Sequence, residues 1–447
     1  MNASAFDAQA CEAVRAAAVP LCGGERDHDA LVALAGAARF VLIGEASHGS
    51  HEFYRERALL TQRLIAQHGF HAVAIEGDWP DAYRVNRYVR ALNDDASAED
   101  ALAGFRRFPT WMWRNAVVTE FVDWLHDFNQ TRTAEERAGL YGLDLYSLHS
   151  SMSAVLQYLA AADPAAAQRA RERYACFDQF GHDSQVYGLM AGLGTSKSCE
   201  REVIAMLVDL RRRASQALPG GRGNGEQAFD AEQNARLVMN AEAYYRSMYL
   251  SDVSSWNLRD RHMMETLNEL EHHLTRGGIE RPKIVVWAHN SHLGDARATE
   301  MGQRGELNLG QLVRERHGTE AFLIGFSTHT GSVTAASDWD GAAERMLVLP
   351  SRHDSYEGLM HEVGLERFML PLRGASRQAQ LLGVPRLQRA IGVLYRPDTE
   401  RQSHYLLARL PQQFDALIHI DMTRAVEPLE RNAEWSIEAP ETYPAGL

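Results

Sequence analysis

Five segments of this chain share one pattern, an apolar run that ends in acids, histidines or other polar residues. They are RFVLIGEASH (39–48), AVAIEGD (72–78), GLYGLDLYS (139–147), KIVVWAHNSH (283–292) and AFLIGFSTHTG (321–331). Continuous Val, Ile and Leu without alternation suit strands that are covered on both faces. Helical patterns sit between the runs. After the first, Phe53, Leu60 and Leu64 recur at helical spacing. After the second, Asp78 is placed to cap and Pro80 to open a helix carrying Ala82, Val85, Val89 and Leu92. The expected fold class is therefore α/β, a mostly parallel sheet flanked by helices in three α/β/α layers.

From about residue 100 to 275 the pattern is mostly helical, interrupted by the third run. Residues 150–275 read as a mainly helical insertion or lid beside the sheet, with the glycine-rich loop LPGGRGNGEQ (218–227) inside it. Beyond residue 320 the short runs RMLVLP, RFMLPL, AIGVLYRP and DALIHID are expected to extend the sheet. A length of 447 residues alone allows two or three domain-sized units.

Composition narrows the partners. A net charge of −13 disfavours nucleic acid and anionic membranes, and no apolar run is long enough to span a bilayer. The N-terminal stretch lacks a basic start and an apolar block, so no signal peptide is expected. Cys11, Cys22, Cys176 and Cys199 are too few and too scattered for a disulfide framework or a CxxC metal site. The expected compartment is the cytoplasm.

In open parallel sheets, ligands bind beyond the carboxyl ends of the strands. Here those ends carry Glu45 and His48, Glu76 and Asp78, Asp144, then His289 and His292, and finally His329. Polar residues at one strand end are unremarkable, but acids or histidines at all five mark a site. Arg57 shares the helical stripe of Phe53, Leu60 and Leu64. Either it snorkels to solvent along its stem, or it is buried against an anion, with Glu45 and Glu76 the candidates. His289 and His292 are three apart, as a tight turn or helix start allows. Ser47 and Ser291 flank the histidines as supporting or turn residues. Other schemes fail: no G-x-S-x-G elbow occurs, HEFYR and HEVGL lack the second zincin histidine, and GLGTSK is not a phosphate loop.

These segments, GEASHGSHEFYRERALL, AIEGDWPDAYRVNRY, YGLDLYSL and VVWAHNSHLGD, resemble the erythromycin esterase family in order and spacing. The resemblance runs from about residue 35 to the C-terminus. It implies a single domain over 1–447 and a hydrolase that opens a macrolide lactone with water and a histidine base, without a covalent acyl-enzyme. It places Glu45, His48, Arg57, Glu76, His289 and His292 on family active-site positions. EGDWPDAYRVNRY and APETYPAGL look like a broader branch of the family, so the chemistry carries over further than the substrate.

Ester hydrolysis needs an activated water and a group to hold the developing oxyanion. His48 is the expected base, oriented by Glu45. Arg57 would keep Glu45 or Glu76 ionised, and His289 and His292 would meet the oxyanion or the leaving alkoxide. Asp78, Trp79, Asp144 and Tyr146 are the expected substrate contacts, with Tyr83, Trp111, Trp113 and Trp256 as further candidates for cleft walls. No cofactor is expected. A divalent metal held by the same Glu and His residues is the runner-up, and a small-molecule-binding protein without turnover is the rival from another class. The expected partner is a small-molecule ester or lactone.

Overall fold

In the computed structural model, which describes residues 3–24, 26–181, 183–216 and 224–431, the strands include one for each of the five runs. They are β1 (Val19–Pro20), β2 (Phe40–Ile43), β3 (Ala72–Asp78), β4 (Gly139–Asp144), β5 (Ile284–Trp287), β6 (Ala321–Ser327), β7 (Thr330–Ala335), β8 (Glu344–Val348), β9 (Arg367–Pro371), β10 (Arg386–Arg389), β11 (Tyr405–Ala408), β12 (Ala416–Ile420) and β13 (Met422–Thr423). The central sheet runs β1-β9-β12-β6-β2-β5-β3-β4. Its middle is parallel from β12 to β4, while β9 and β1 add an antiparallel margin.

Both faces are covered, which explains why the runs do not alternate in hydrophobicity. Along β2, Val41 and Ile43 enter one core with Val73, Ile75, Val285, Trp287 and Ile324. Phe40 and Leu42 enter the opposite core with Ala72, Ala74, Ile284 and Val286. Successive side chains point to opposite faces of a strand, so an unbroken apolar run feeds two cores at once. Each such aliphatic side chain contributes about 1.5–3 kcal/mol when buried. An Asp at Val285, which is fully buried, would meet an apolar layer and break the sheet.

After β2 the helix His51–His68 buries Phe53, Arg57, Leu60 and Leu64. It stops at Gly69, whose φ of 65° lets its N–H return to the Ile65 and Leu64 carbonyls. The helix Trp79–Val89 follows β3, with Pro80 in its first turn. Leu92 lies beyond this helix and is exposed, contrary to the expected stripe. Asp78 sits at the cap position without accepting a cap hydrogen bond; its Oδ2 accepts from Arg107 instead.

Between β4 and β5 every regular element is helical among the described residues, from Leu148–Ala162 to Asp252–Arg276. Residues 218–223 of the glycine-rich segment lie outside the described residues, and 224–227 open the helix Asn224–Ser247. Although the four cysteines are too few for a disulfide framework, two of them pair. Cys176 and Cys199 form a disulfide with Cα atoms 5.9 Å apart, tying the turn Ala175–Phe180 to the start of the helix Glu200–Gln216.

Two of the four late runs do not extend the central sheet. RMLVLP supplies β8, which pairs with β7 in a separate sheet beside β13. AIGVLYRP forms no strand and touches the site loop only through a bridge from Ile391 to Ser47. RFMLPL and DALIHID become β9 and β12 as expected. A short apolar run carries no information on which sheet receives it. No helix among the described residues is long and apolar enough to cross a membrane.

Candidate active site

The parallel register brings the ends of β2, β5, β3 and β4 to one edge. Glu45 and His48 follow β2, Glu76 and Asp78 end β3, and Asp144 ends β4. After β5, His289 caps the short helix Asn290–Leu293, which carries His292. Asn290 ties these ends together: its N–H donates to the Glu45 carbonyl at 2.8 Å, and its amide pairs with the Phe326 backbone at the end of β6. Gly49 is required in the turn between them, because a Cβ there would collide with the Thr334 carbonyl.

His48 Nδ1 lies 2.9 Å from Glu45 Oε1. An ionised carboxylate only accepts, so we assign the proton to Nδ1, which leaves the Nε2 lone pair free as a base. Nε2 lies 4.0 Å from Glu76 Oε1, and the Tyr54 hydroxyl donates to the His48 carbonyl. Behind Glu45, Arg57 Nη2 approaches Oε2 to 2.7 Å. This is an ion pair rather than an aligned hydrogen bond. The Arg57 guanidinium is fully buried between the rings of Tyr54 and Trp287, at 4.5 and 5.2 Å. Arg57 is therefore buried, and its partner is Glu45.

Glu76 is the hub. Its Oε2 accepts the His289 N–H at 2.8 Å, and its Oε1 lies 2.7 Å from Arg259 Nη2 and 3.4 Å from His292 Nε2. Burial alone would raise the Glu76 pKa, but the charges of His292, Arg259 and His48 outweigh it and hold the group well below the usual carboxylate range. Asp144 is likewise held low: burial opposes ionisation and the Arg259 guanidinium prevails.

The histidines differ in state. Burial, with the neighbouring charge of His48, pushes the His289 pKa down to about 3. Its Nδ1 accepts from the Ser291 N–H at 3.2 Å, so the neutral ring carries its proton on Nε2. That buried atom has no partner at hydrogen-bonding geometry. His292 Nδ1 lies 2.9–3.0 Å from both oxygens of Asp260. Burial disfavours its cation, but Asp260 and Glu76 together raise its pKa. The neutral ring accepts from Arg259 Nη1 at 3.0 Å, and a protonated ring faces Glu76. The Trp256 indole stacks on His292 at 4.4 Å.

The structure thus brings together Glu45, His48, Arg57, Glu76, His289, His292 and Asp144. Asp78 is buried next to them, paired with Arg107 at 2.9 Å. Tyr146 lines an adjoining cleft of about 540 Å³. Its ring lies 4.9 Å from the Arg259 guanidinium and 4.6 Å from that of Arg107. Trp79 does not line this cleft: it is buried against the helical segment, donating to Asp230 and stacking on Tyr83. Trp111 and Trp113 are core residues, and Trp111 also edges a second surface cleft. His329 stacks instead on His361 and bonds to Ser351.

Arg259 and Asp260 went unread in the sequence, although a signal existed. Asp260 shares a buried helical stripe with Met263, Met264 and Leu267, the same pattern that flags Arg57. Sequence spacing could not show that a helix between β4 and β5 returns to the strand ends. Among the described residues no three His, Cys, Asp or Glu side chains converge to hold a metal ion. Arg57 and Arg259 already stand against Glu45, Glu76 and Asp144.

A family model described as erythromycin esterase matches residues 65–423. The protein YbfO of Bacillus subtilis (strain 168), a hydrolase by name, is 20% identical over 404 residues, covering 86% of this chain and 83% of its own. A crystal structure of a Bacillus cereus protein superposes with a TM-score of 0.78 at 19% identity, over 95% of this chain and 99% of that one. A structure titled as a succinoglycan biosynthesis protein gives 0.74 at 21% identity, over 95% and 99%. A mutant of the erythromycin esterase EreC in its open conformation gives 0.63 at 16% identity, over 90% and 94%.

Proposed function

This chain belongs to the erythromycin esterase family, a family of hydrolases of small molecules, and from that premise we propose that it cleaves a carboxylic ester, macrolide-type lactones included, with a water activated by His48. The observation that carries this reading is the Glu45–His48 pair, whose free Nε2 faces Glu76 beside His289. His48 Nε2 takes a proton from water as the oxygen attacks the ester carbonyl. Glu45 steadies the resulting imidazolium, and Arg57 keeps Glu45 ionised. His289 Nε2–H donates to the oxyanion, a role suited to a neutral ring. His48 then returns its proton to the leaving alkoxide, giving acid and alcohol. Asp260, Arg259 and Asp144 hold His292 and Glu76 in place.

The proposed reaction uses no metal, because the two arginines supply the positive charge that a divalent ion would bring to these carboxylates. The helical segment between β4 and β5 is proposed as a lid, since Arg259 links it to the sheet edge. A screen of aryl esters, acyl sugars and macrolide lactones, run with and without chelator, tests the reading. Turnover indifferent to chelator is expected. A protein that turns over none of them, yet retains a tightly bound small molecule, would be a binding protein instead.

A further inference from the structure

The cleft beyond Tyr146 differs in chemistry from a pocket built for an apolar ring. Ser147 and Ser150 come from the start of the helix Leu148–Ala162, Asp183, Ser184 and Gln185 from the start of the helix Ser184–Gly192, and Asp340 from the turn between β7 and β8. Leu148 is the one aliphatic side chain among its lining residues. Sites for apolar ligands are lined mainly by hydrophobic groups with a few polar anchors, and here that proportion is reversed. Arg107, the lining guanidinium, is already paired with Asp78, and Asp183 and Asp340 make the cleft a poor seat for an anion.

The rim adds a second observation. Asp340 is exposed and holds a left-handed φ of 58°, a turn conformation that aspartate adopts more readily than most residues. It follows Trp339, whose side chain is 68% exposed and rests against Phe108 at 5.6 Å. Phe108 lines a neighbouring cleft that shares Asp340 with this one, so Trp339 stands where the two meet, and a large aromatic left in solvent there fits a ligand with one C–H face and many hydroxyls.

We propose that this cleft binds the carbohydrate portion of a sugar ester, with Trp339 as a stacking platform and Gln185, Ser184, Asp183 and Asp340 pairing with hydroxyls. The assignment rests on the hydrolytic reading above and narrows its substrate class. The acyl carbon would then lie past Tyr146, toward His48.

The test compares the full chain on an acetylated disaccharide and on an aryl acetate that carries no hydroxyl. A site built to pair with hydroxyls rejects ligands that lack them, so KM for the disaccharide ester should be lower by about tenfold or more. Trp339→Ala should raise that KM by roughly fivefold or more. Equal or better KM for the aryl acetate, or an unchanged KM in Trp339→Ala, overturns the proposal. Should no ester be cleaved, the hydrolytic reading fails separately, and a titration of the His48→Asn protein with the disaccharide itself, followed by tryptophan fluorescence, decides the cleft. A saturable change lost in the His48→Asn, Trp339→Ala double variant upholds it. A flat titration overturns it.

Discussion

One carboxylate, Glu45, faces His48 Nδ1 at 2.9 Å through one oxygen and Arg57 Nη2 at 2.7 Å through the other. The proposed base, its proposed orienting acid and a counter-charge thus form a line from the end of β2 into the core of the following helix.

Arg57→Leu suits the apolar stripe of its helix but strands Glu45, which is 1% exposed. An uncompensated buried charge costs on the order of 3–5 kcal/mol. The variant should melt well below the wild type and lose activity. An unchanged melting temperature would show that the pair contributes nothing to the fold.

Arg259→Met tests the second buried cation. It leaves Glu76 and Asp144 facing each other without the guanidinium that bridges them at 2.7 Å. The proton should then be taken up by one carboxylate, lowering kcat and moving the pH–rate profile. Arg259→Lys keeps the charge but not the fork, so it should recover only part of the loss. Full recovery in the lysine variant would show that bidentate geometry is irrelevant.

His289 and His292 should affect stability in opposite pH ranges. The folded pKa of His289 is near 3, below its ordinary 6.5, so below pH 6.5 the unfolded chain binds a proton that the folded chain refuses. Stability is lost there as pH falls. The raised pKa of His292 works the other way: its contribution is complete below about 6.5 and lost as pH rises through the folded value. Urea unfolding from about pH 4 to about pH 9 should show His289→Asn flattening the acid limb and His292→Asn the alkaline limb. The same limb changing in both variants would contradict these assignments.

Chelation should leave hydrolysis unchanged, since Arg57 and Arg259 hold the positions a metal would neutralise. Loss of activity with EDTA, restored by a divalent ion, would replace the water-activation scheme proposed for His48.

Much of the site was legible because strand ends are marked twice, by the close of an apolar run and by the ionisable group that follows. Glu45, Glu76, Asp144 and His289 are all found this way. Arg57 was legible because a charge on an apolar stripe needs a partner, although spacing alone could not choose Glu45 over Glu76. What sequence could not show was long-range. Arg259 stands 183 residues from Glu76, and nothing local says that its helix packs on the strand ends. The same limit explains β8, which has the composition of a sheet strand and pairs elsewhere. Trp79 was misread because an aromatic next to a site residue looks alike whether it faces a cleft or a helix packed on the sheet.

The most direct measurement is steady-state hydrolysis by His48→Asn, on whichever ester the wild type cleaves best, alongside its thermal melt. Asn nearly keeps the volume and removes the base. The account predicts a loss of kcat on the order of 10²–10⁴-fold with the melting temperature close to that of the wild type. Turnover at the wild-type rate in a folded His48→Asn protein would contradict it.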